Sequence, residues 1–304
     1  TNKSSSLMFK DSLMSADDAL AFLMDSAVAS NQTETSSLDD SIGRILAIDI
    51  HSKINVPGFD NSAMDGYTIA LDENNTSKTN QSFDVVDRIT AGSIGNELKR
   101  GNAARIFTGA PIPKGANTVV MQEECQTSDD GSQITIKRAV ELNENIRPTG
   151  NDILKDDVIL TTGKKIEPQD ISLAASVGIG ELRVFKRLKV GVFFTGDELI
   201  EPGNSLSPGK IYNSNRYALV ALLNKAGCDV INLGNIKDNL DSTCVALESL
   251  SSECDLIMTT GGVSVGEEDH VKPAVEKLGS LNLWKIKMKP GKPLAYGQVK
   301  NIPF

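Results

Sequence analysis

The sequence predicts a multidomain protein that combines an α/β domain, built on a mostly parallel sheet, with a smaller β-rich domain. From residue 188 onward, apolar strand-like runs alternate with helix-like segments, which is the pattern of βαβ units. Residues 56–148 instead contain short strand patterns separated by Gly and Pro. A chain of 304 residues is long enough for two or three domains with cores of their own.

The N-terminal region is predicted to hold short elements. Ser15 is a candidate N-cap for a helix over residues 15–29, with Asp18 as its reciprocal partner. The sequence from 37 to 43 predicts a second short helix, and residues 45–50 predict a strand.

The β-rich region is predicted to contain four short strands, over residues 83–86, 105–107, 118–121 and 133–136. After it, Pro168 predicts the first turn of a helix that runs to about Gly178, because a proline at this position lacks only an N–H that would have no partner.

Strands and helices then alternate, with strands predicted at 188–195, 229–236 and 255–261 and helices at 215–226, 240–252 and 270–278. The first strand is almost wholly apolar, so we expect both of its faces to be buried. Asn215 is the predicted cap of the first of these helices. The predicted buried side chains of the first two helices are Leu219, Leu222, Leu223, Val245, Leu247 and Leu250.

The composition argues against several classes of function. A net charge of −9 disfavours general nucleic-acid binding, which needs a basic face. No apolar run approaches the ~20 residues that span a bilayer, so no membrane association is expected. The four cysteines form no C-x-x-C pair, which favours free thiols in a reducing cytoplasm. Two histidines make a multi-histidine zinc site improbable.

Candidate binding residues follow the predicted parallel strands. Open parallel sheets bind ligands beyond the carboxyl ends of their strands, so segments that follow different strands should converge. The residues in these positions are Thr195, Gly196, Asp197, Glu198, Asp238, Gly261, Gly262, Ser264, Asp269, Lys285, Lys289, Lys292 and Pro293.

The residue types in these segments point to a phosphorylated ligand with a divalent cation. The TTGGVSVG stretch (259–266) has little side-chain bulk and can direct backbone N–H groups at an anion. The three lysines add positive charge. Glu198, Asp238 and Asp269 offer hard oxygen ligands of the kind that suit Mg²⁺.

Familiar alternatives fit less well. Glu267 and Glu268 stand where a Walker A loop needs Lys and Ser or Thr, and no G-x-G-x-x-G follows a strand. Ser264 has no paired histidine, which is poor support for acyl transfer. Taken singly, each motif also has a purely structural interpretation, such as a turn, a cap or a solvated lysine.

Several motifs together resemble the MoeA family of molybdopterin molybdenumtransferases, of which the gephyrin E domain is a eukaryotic relative. The matching motifs are FDNSAMDGY (59–67), FTGAPIP (107–113), VVMQEE (119–124), TGDEL (195–199), INLG (231–234), GGVSVGEEDH (261–270) and KPGKPLAYG (289–297). They occur in the family's order and spacing over nearly the whole chain.

The resemblance implies an activity and a domain plan. The family inserts molybdate into adenylylated molybdopterin with Mg²⁺, and releases AMP and molybdenum cofactor. Residues 1–55 and 149–187 would form a discontinuous, elongated dimerisation domain, and 56–148 an inserted β-rich domain. Residues 188–304 would form a MogA-like, three-layer α/β domain that binds molybdopterin. The family normally continues into a further β domain, so we expect this chain to be a fragment with impaired activity.

The resemblance also implies roles for residues. The positions that match functional positions of the family are Asp65, Thr108, Asp152, Glu198, Asp238, Asp269, Lys285 and Lys289. Glu198, Asp238 and Asp269 would hold Mg²⁺ and orient the attacking species, and Asp65 would position substrate or metal. Lys289, Lys292 and Pro293 match the family's proposed oxyanion pocket.

The resemblance further implies a homodimer with its cleft between the two subunits and a molybdopterin adenylyltransferase as pathway neighbour. In the loop GFDNSAMDGY (58–67), Phe59, Met64 and Tyr67 would be anchors, while Asp65 faces the ligand of the other subunit.

Two other functions stay open at this point. One is a gephyrin-like dimeric scaffold, and the other is the related molybdopterin adenylyltransferase. The acidic residues of GGVSVGEEDH, which lack a following arginine, point away from adenylyl transfer.

Overall fold

The computed structural model describes residues 13–72, 79–262, 269–288 and 293–304. The chain divides into two compact units. The first, here called the α/β unit, comprises residues 1–34 and 185–304, and the second, the β-rich unit, comprises residues 35–184. The finer division into a discontinuous domain and an inserted domain over 56–148 stays a prediction.

The elements up to residue 185 are, in chain order, α1 Ala16–Ser26, β1 Thr33–Ser37, β2 Ile50–His51, β3 Asn61–Ser62, β4 Gly66–Ile69, β5 Gln81–Ile89, β6 Asn102–Ile106, β7 Thr118–Met121, a 3₁₀ turn Gln122–Glu124, β8 Cys125–Thr127, β9 Gln133–Ile136, β10 Ile146–Arg147, β11 Val158–Leu160, α2 Pro168–Ser176 and β12 Glu181–Phe185.

The elements after residue 185 are β13 Lys189–Thr195, β14 Leu199–Ile200, β15 Ile211–Tyr212, α3 Ser214–Ala226, β16 Asp229–Ile236, α4 Leu240–Glu253, β17 Leu256–Thr260, α5 Val271–Leu278, β18 Gly279–Lys285, β19 Pro293–Val299 and β20 Ile302–Pro303.

The β-rich unit is organised around a six-stranded sheet in the order β7-β4-β6-β5-β9-β8. Its pairs are antiparallel except for β5 with β6. Successive residues such as Ala103 and Ala104 belong to different apolar clusters, as the alternation of side chains along a strand requires. The sheet therefore packs apolar side chains on both faces. All four strands predicted in this region are confirmed.

A third apolar cluster of the β-rich unit surrounds α2. Leu46, Ile166, Ala174 and Leu182 are buried in it. Pro168 occupies the start of the helix, as predicted, and the carboxylate of Asp170 accepts the N–H of Glu167 at 3.0 Å, which completes the first turn.

The α/β unit contains the predicted parallel sheet, in the order β16-β13-β17. Residues 190–195 of β13 are all buried. Val192 and Phe194 pack toward α3 in one apolar cluster, whereas Phe193 packs toward α4 and α5 in another. Helices therefore cover both faces of β13, and this part of the unit has three layers.

An antiparallel sheet in the order β18-β19-β20 completes the α/β unit and was not predicted. The register of its first pair places Lys285 opposite Pro293. Helix α1 lies against this sheet, since the Phe22 ring meets the Tyr296 ring edge-on with centroids 5.8 Å apart.

The prediction of a helix over 37–43 is wrong. Residues Thr33–Ser37 form β1, which pairs with β12, and a turn follows it. The predicted strand over 45–50 is also too long, because Ile45 and Leu46 form only isolated bridges before β2 begins. The capping pattern at Ser37 is real but stabilises a turn, as its hydroxyl accepts the N–H of Asp40 at 3.2 Å.

Two helix details also differ from the prediction. Asn213, and not Asn215, caps α3, because its side chain accepts the N–H of Arg216 at 3.1 Å. Leu222 and Val245 are exposed, by 65% and 66%, and are not core residues. The buried face of α4 comprises Thr243, Cys244, Ala246, Leu247 and Leu250.

No helix in the part of the chain that the structure describes is long and apolar enough to cross a membrane. The four cysteines are unpaired, as predicted, with Cys244 and Cys254 buried and the other two half-buried.

Candidate functional site

The carboxyl ends of the three parallel strands form one edge of the α/β unit. Thr195, the last residue of β13, pairs with Ile236 of β16, and its neighbour Phe194 pairs with Thr260 of β17. The segments that follow β16 and β17, which contain Asp238 and Gly261, therefore lie on either side of Thr195. This is the convergence that the topology of a parallel sheet predicts.

A hydrogen bond joins two of these ends directly. The Thr195 hydroxyl donates to Oδ1 of Asp238 at 2.8 Å. Thr195 is buried and Asp238 is half-buried, so the bond satisfies a hydroxyl that has little access to water. It also fixes the direction of the Asp238 carboxylate.

The glycine turn packs tightly against the same edge. Gly261 and Gly262 both have positive φ angles, of 88° and 70°. A Cβ atom on Gly262 would lie 2.3 Å from Cγ2 of Val271 and 3.4 Å from Cγ2 of Thr195. The turn can therefore contain no side chain at 262, while Gly261 beside it is exposed.

Gly196 leaves space for the carboxylate of Glu198. A Cβ atom on Gly196 would lie 2.6 Å from Oε2 of Glu198, and the glycine has a φ angle of 142°. The Glu198 carboxylate is thus folded back against the backbone of Gly196 at the end of β13. Asp197 between them is exposed, and its carbonyl accepts a hydrogen bond from Nζ of Lys210 at 2.7 Å.

The remaining described candidates of this unit lie on its helices and antiparallel sheet. Asp269 is half-buried and comes two residues before α5. Lys285 is exposed at the end of β18, opposite Pro293. Pro293 and Gly261 line the same cavity of about 1010 Å³, which lies within the α/β unit.

The predicted residues Ser264, Lys289 and Lys292 lie outside the described residues.

The three carboxylates predicted to hold Mg²⁺ do not form a ready-made metal site. Among residues 13–72, 79–262, 269–288 and 293–304, no group of three or more His, Cys, Asp or Glu side chains is placed to hold a metal ion. A site made of Glu198, Asp238 and Asp269 together does not fit this arrangement. One or two carboxylates combined with the phosphates of a substrate is the usual Mg²⁺ environment, and that alternative suits the exposed Glu198 and the half-buried Asp238.

The β-rich unit contains the other candidates. Oδ1 of Asp65 accepts two hydrogen bonds from Thr108, one from the backbone N–H and one from the hydroxyl, both at 2.8 Å. These bonds, the backbone one first, hold the pKa of the Asp65 carboxyl below its ordinary value. Oδ2 of this exposed carboxylate has no hydrogen-bond donor within the described ranges. It is therefore available to a ligand in ionised form.

A second aspartate in the same loop makes a matching contact that the sequence did not reveal. Oδ1 of Asp60 accepts the N–H and the hydroxyl of Thr149, at 2.7 and 2.8 Å. The segment after Thr149 includes the predicted Asp152, whose N–H donates to the carbonyl of Val56 at 2.9 Å. The same loop thus carries Asp65 at one end and is joined to the Asp152 segment at the other.

The predicted anchors of the loop are partly wrong. Phe59 and Met64 are exposed, by 50% and 41%, whereas the polar residues Asn61 and Ser62 are buried. The two Asp–Thr contacts and the buried polar pair hold the loop, because the backbone groups of this irregular segment need hydrogen-bond partners. Of the predicted anchors, only Tyr67 packs against an apolar cluster.

The structure therefore brings only some of the candidates together, with Asp65 and Thr108 in direct contact in the β-rich unit. Thr195, Gly196, Asp238, Gly261 and Gly262 meet in the α/β unit, and Glu198 lies beside Gly196.

Two family descriptions match the chain. Residues 14–178 match the MoeA N-terminal region, domains I and II, and residues 191–302 match a probable molybdopterin binding domain.

Curated relatives and solved structures agree with these matches. The chain is 43% identical over 293 residues to a molybdopterin molybdenumtransferase of Haemophilus influenzae, covering 96% of this chain and 72% of the relative. It is 39% identical over 266 residues to one of Bacillus subtilis, covering 86% of this chain and 62% of the relative. A crystal structure of the molybdopterin biosynthesis MoeA protein from Pyrococcus horikoshii superimposes with a TM-score of 0.80 at 31% identity, covering 96% of this chain and 73% of that one.

The first match alone extends over more than half of the chain, and the Haemophilus relative is covered over more than two thirds of its length. The chain belongs to the MoeA family, whose curated bacterial members are named molybdopterin molybdenumtransferases.

Proposed function

We propose that the full-length protein is a molybdopterin molybdenumtransferase that uses Mg²⁺ to insert molybdate into adenylylated molybdopterin and releases AMP and molybdenum cofactor. The family membership supports the substrate class, since relatives carry this name. The observation that carries the proposal is the meeting of Thr195, Asp238 and the Gly261–Gly262 turn at one edge.

This edge suits a pyrophosphate-linked substrate. The side-chain-free turn at 261–262 lets phosphate oxygens approach the backbone closely, and the start of α5 lies against it. Thr195 holds the Asp238 carboxylate in one direction, so no binding energy is needed to orient it.

Glu198 and Asp238 would hold the magnesium ion together with the phosphates of the substrate. Bound there, a divalent cation offsets negative charge that develops on the phosphate as AMP leaves. Lys285 and Pro293 are proposed substrate contacts, and Lys289, Lys292 and Ser264 are proposed from sequence alone.

In the β-rich unit, Asp65 and Thr108 are proposed to position the substrate. The support is the ionised state of Asp65 and its accessible second oxygen. Asp152 is proposed as a substrate-binding residue because of the family resemblance. Its N–H bonds the segment that leads into the loop carrying Asp65.

We further propose that the protein acts as a cytoplasmic homodimer. The four free thiols support a reducing compartment, and the family resemblance supports a cleft between subunits.

The test is release of AMP by the full-length protein from adenylylated molybdopterin and molybdate, with Mg²⁺ present or removed by chelation. We expect AMP and active molybdenum cofactor in the first case and neither in the second. Asp238→Asn should reduce the rate by about a hundredfold, since it removes an oriented charge.

A matched control is Asp229→Asn, at the opposite end of the same strand β16, where the carboxylate is exposed. It should retain full activity. Equal rates for the wild type and Asp238→Asn would contradict the proposed role of the edge, and a protein that forms no AMP under any condition would contradict the function itself.

A further inference from the structure

A residue outside the motifs quoted above contacts the chain neighbours of both Asp65 and Thr108. Arg105 belongs to β6, and its guanidinium donates through Nη1 to the carbonyl of Gly66 at 2.9 Å. Its Nη2 donates to Oε1 of Gln122. Gly66 is the residue after Asp65, so the first of these bonds fixes the backbone that carries the carboxylate.

The same guanidinium also contacts two aromatic rings. Its central carbon lies 5.1 Å from the centroid of the Tyr67 ring and 4.7 Å from that of Phe107. Tyr67 lies two residues after Asp65, and Phe107 immediately precedes Thr108. A half-buried cation over an aromatic ring is attracted by the partial negative charge of the ring's π face, and this attraction increases as water is excluded.

The hydrogen bonds of Arg105 and Gln122 form a closed circuit that includes the backbone of Asp65 and Gly66. Gln122 accepts from Arg105 with its side chain and donates its own N–H to the carbonyl of Asp65 at 3.1 Å. One side chain thus contacts the two residues that follow Asp65 and the residue that precedes Thr108. The positive charge of Arg105 also lowers the pKa of Asp65, although by less than the two hydrogen bonds from Thr108 do.

The register of the sheet explains why a single residue can make all these contacts. Tyr67 of β4 pairs with Arg105 of β6 on one side and with Val120 of β7 on the other. Gly66 must lack a side chain, because a Cβ atom there would lie 1.9 Å from the Val120 carbonyl oxygen. The three strands are therefore close enough for the guanidinium of Arg105 on β6 to bond both Gly66, at the start of β4, and Gln122, directly after β7.

We infer that Arg105 is a positioning residue that holds the Asp65 carboxylate and Thr108 in hydrogen-bonding register through its two fork contacts and its two ring contacts. Its importance for catalysis rests on the proposed function, in which Asp65 positions the substrate. A lysine could supply the charge but not the planar fork that bonds Gly66 and Gln122 at once.

The test uses the amide proton of Thr108, observed by NMR in this chain over a pH titration. In the wild type its chemical shift should follow the ionisation of Asp65, and Asp65→Asn should abolish that dependence. In Arg105→Met and in Arg105→Lys we expect the downfield shift of the Thr108 amide proton on ionisation of Asp65 to become smaller, and the midpoint of that titration to move upward toward the ordinary aspartate value.

Two further variants make the outcome decisive. Arg88→Met is the matched control, because the Arg88 guanidinium lies equally close to the Phe107 ring, at 4.7 Å, but makes no hydrogen bond to the Asp65 loop within the part of the chain that the structure describes; it should leave the Thr108 titration unchanged. Gln122→Ala removes one acceptor of Arg105 without altering the charge, so it should reproduce part of the change in the Thr108 titration. It provides the test if Arg105→Met fails to fold.

A wild-type titration in Arg105→Lys would overturn the inference, because charge alone would then be sufficient. That outcome leaves the proposed function standing. Conversely, full AMP release by Asp65→Asn in the full-length protein would remove Asp65 from the proposed reaction, while the effect of Arg105 on Thr108 would still hold.

Discussion

The hydroxyl group of Thr195 donates a 2.8 Å hydrogen bond to the carboxylate of Asp238 and thereby joins the ends of two neighbouring parallel strands. Thr195 is 7% exposed, so the hydroxyl depends on this acceptor. One carboxylate oxygen is thus fixed, while the other accepts no hydrogen bond from the residues that the structure describes.

Thr195→Val should disturb this arrangement while keeping the shape of the side chain. We expect a stability loss of about 1–2 kcal/mol in urea unfolding. In the full-length protein we expect a roughly ten- to hundredfold slower release of AMP, because Asp238 loses its fixed direction.

Thr195→Ser, which retains the hydroxyl, is the control for that substitution and should remain within threefold or so of the wild-type rate. If the valine variant is as active as the serine variant, the hydrogen bond has no part in the reaction.

Gly66→Ala should be strongly destabilising, because its new methyl group would meet the Val120 carbonyl oxygen at 1.9 Å. Neither β4 nor β7 can move away without breaking the ladder between them. We expect a loss of about 3 kcal/mol in the free energy of unfolding, measured by urea denaturation.

Gly180→Ala provides the comparison, since a methyl group at that glycine would meet no atom within 4 Å. Its free energy of unfolding should change by less than about 0.5 kcal/mol. Similar losses for the two variants would show that the contact with Val120 is not the cause.

Leu247→Ala and Val245→Ala compare the two sides of α4. Leu247 is fully buried against β13 and α5, whereas Val245 is 66% exposed. We expect a loss of about 2–5 kcal/mol for Leu247→Ala, because it leaves a cavity in the core. Val245→Ala should cost less than about 0.5 kcal/mol in the same urea experiment, and a larger loss there would contradict the observed face.

Arg138 should make the stability of the protein sensitive to acid. Its guanidinium binds Glu124 at 2.6 Å and also binds Glu144 through both nitrogens. The hydrogen bond from Arg138 is the main reason that the pKa of Glu144 lies below the ordinary value of 4.5. Glu144 therefore stabilises the fold above that pH, and this contribution is lost as pH falls through the lower, folded-state pKa.

Arg138→Met should consequently lower stability near pH 7 by about 1 kcal/mol, after allowance for screening at a guanidinium about a third exposed. It should also flatten the decline in stability below pH 4.5, measured by urea unfolding at a series of pH values. Lys114→Met is the control, because its ion pair with Glu97 is largely exposed and should contribute little. A steeper acid decline in Arg138→Met than in the wild type would contradict the expected direction of this pH dependence.

The parallel part of the fold was predictable because strand and helix patterns there are strong. The strand over 229–236 has the predicted bounds, and 188–195 differs by one residue. The meeting of Thr195, Asp238 and Gly261 also followed from the sequence, since parallel strands joined by crossovers bring their carboxyl ends to one edge.

Contacts that depend on register were not predictable. The position of Arg105 beside Asp65 requires β4, β6 and β7 to pair in a given register, and short strands separated by long loops do not reveal it. The choice of Asn213 over Asn215 as a cap was equally undetermined, because both residues have the same chemistry two positions apart. The burial of Asn61 and Ser62 in place of Phe59 reversed the usual hydropathy expectation.

The fold of Glu198 against Gly196 has a consequence for engineering the acidic edge. A side chain at position 196 would push aside the flexible carboxylate of Glu198, and the φ angle of 142° disfavours residues other than glycine, so substitutions there should displace Glu198. Asp197 is exposed, and it bonds Lys210 through its backbone carbonyl. The charge of its side chain can therefore be changed without altering the backbone of Gly196 or Glu198. Neighbouring positions in this segment thus differ sharply in how many amino-acid substitutions they allow.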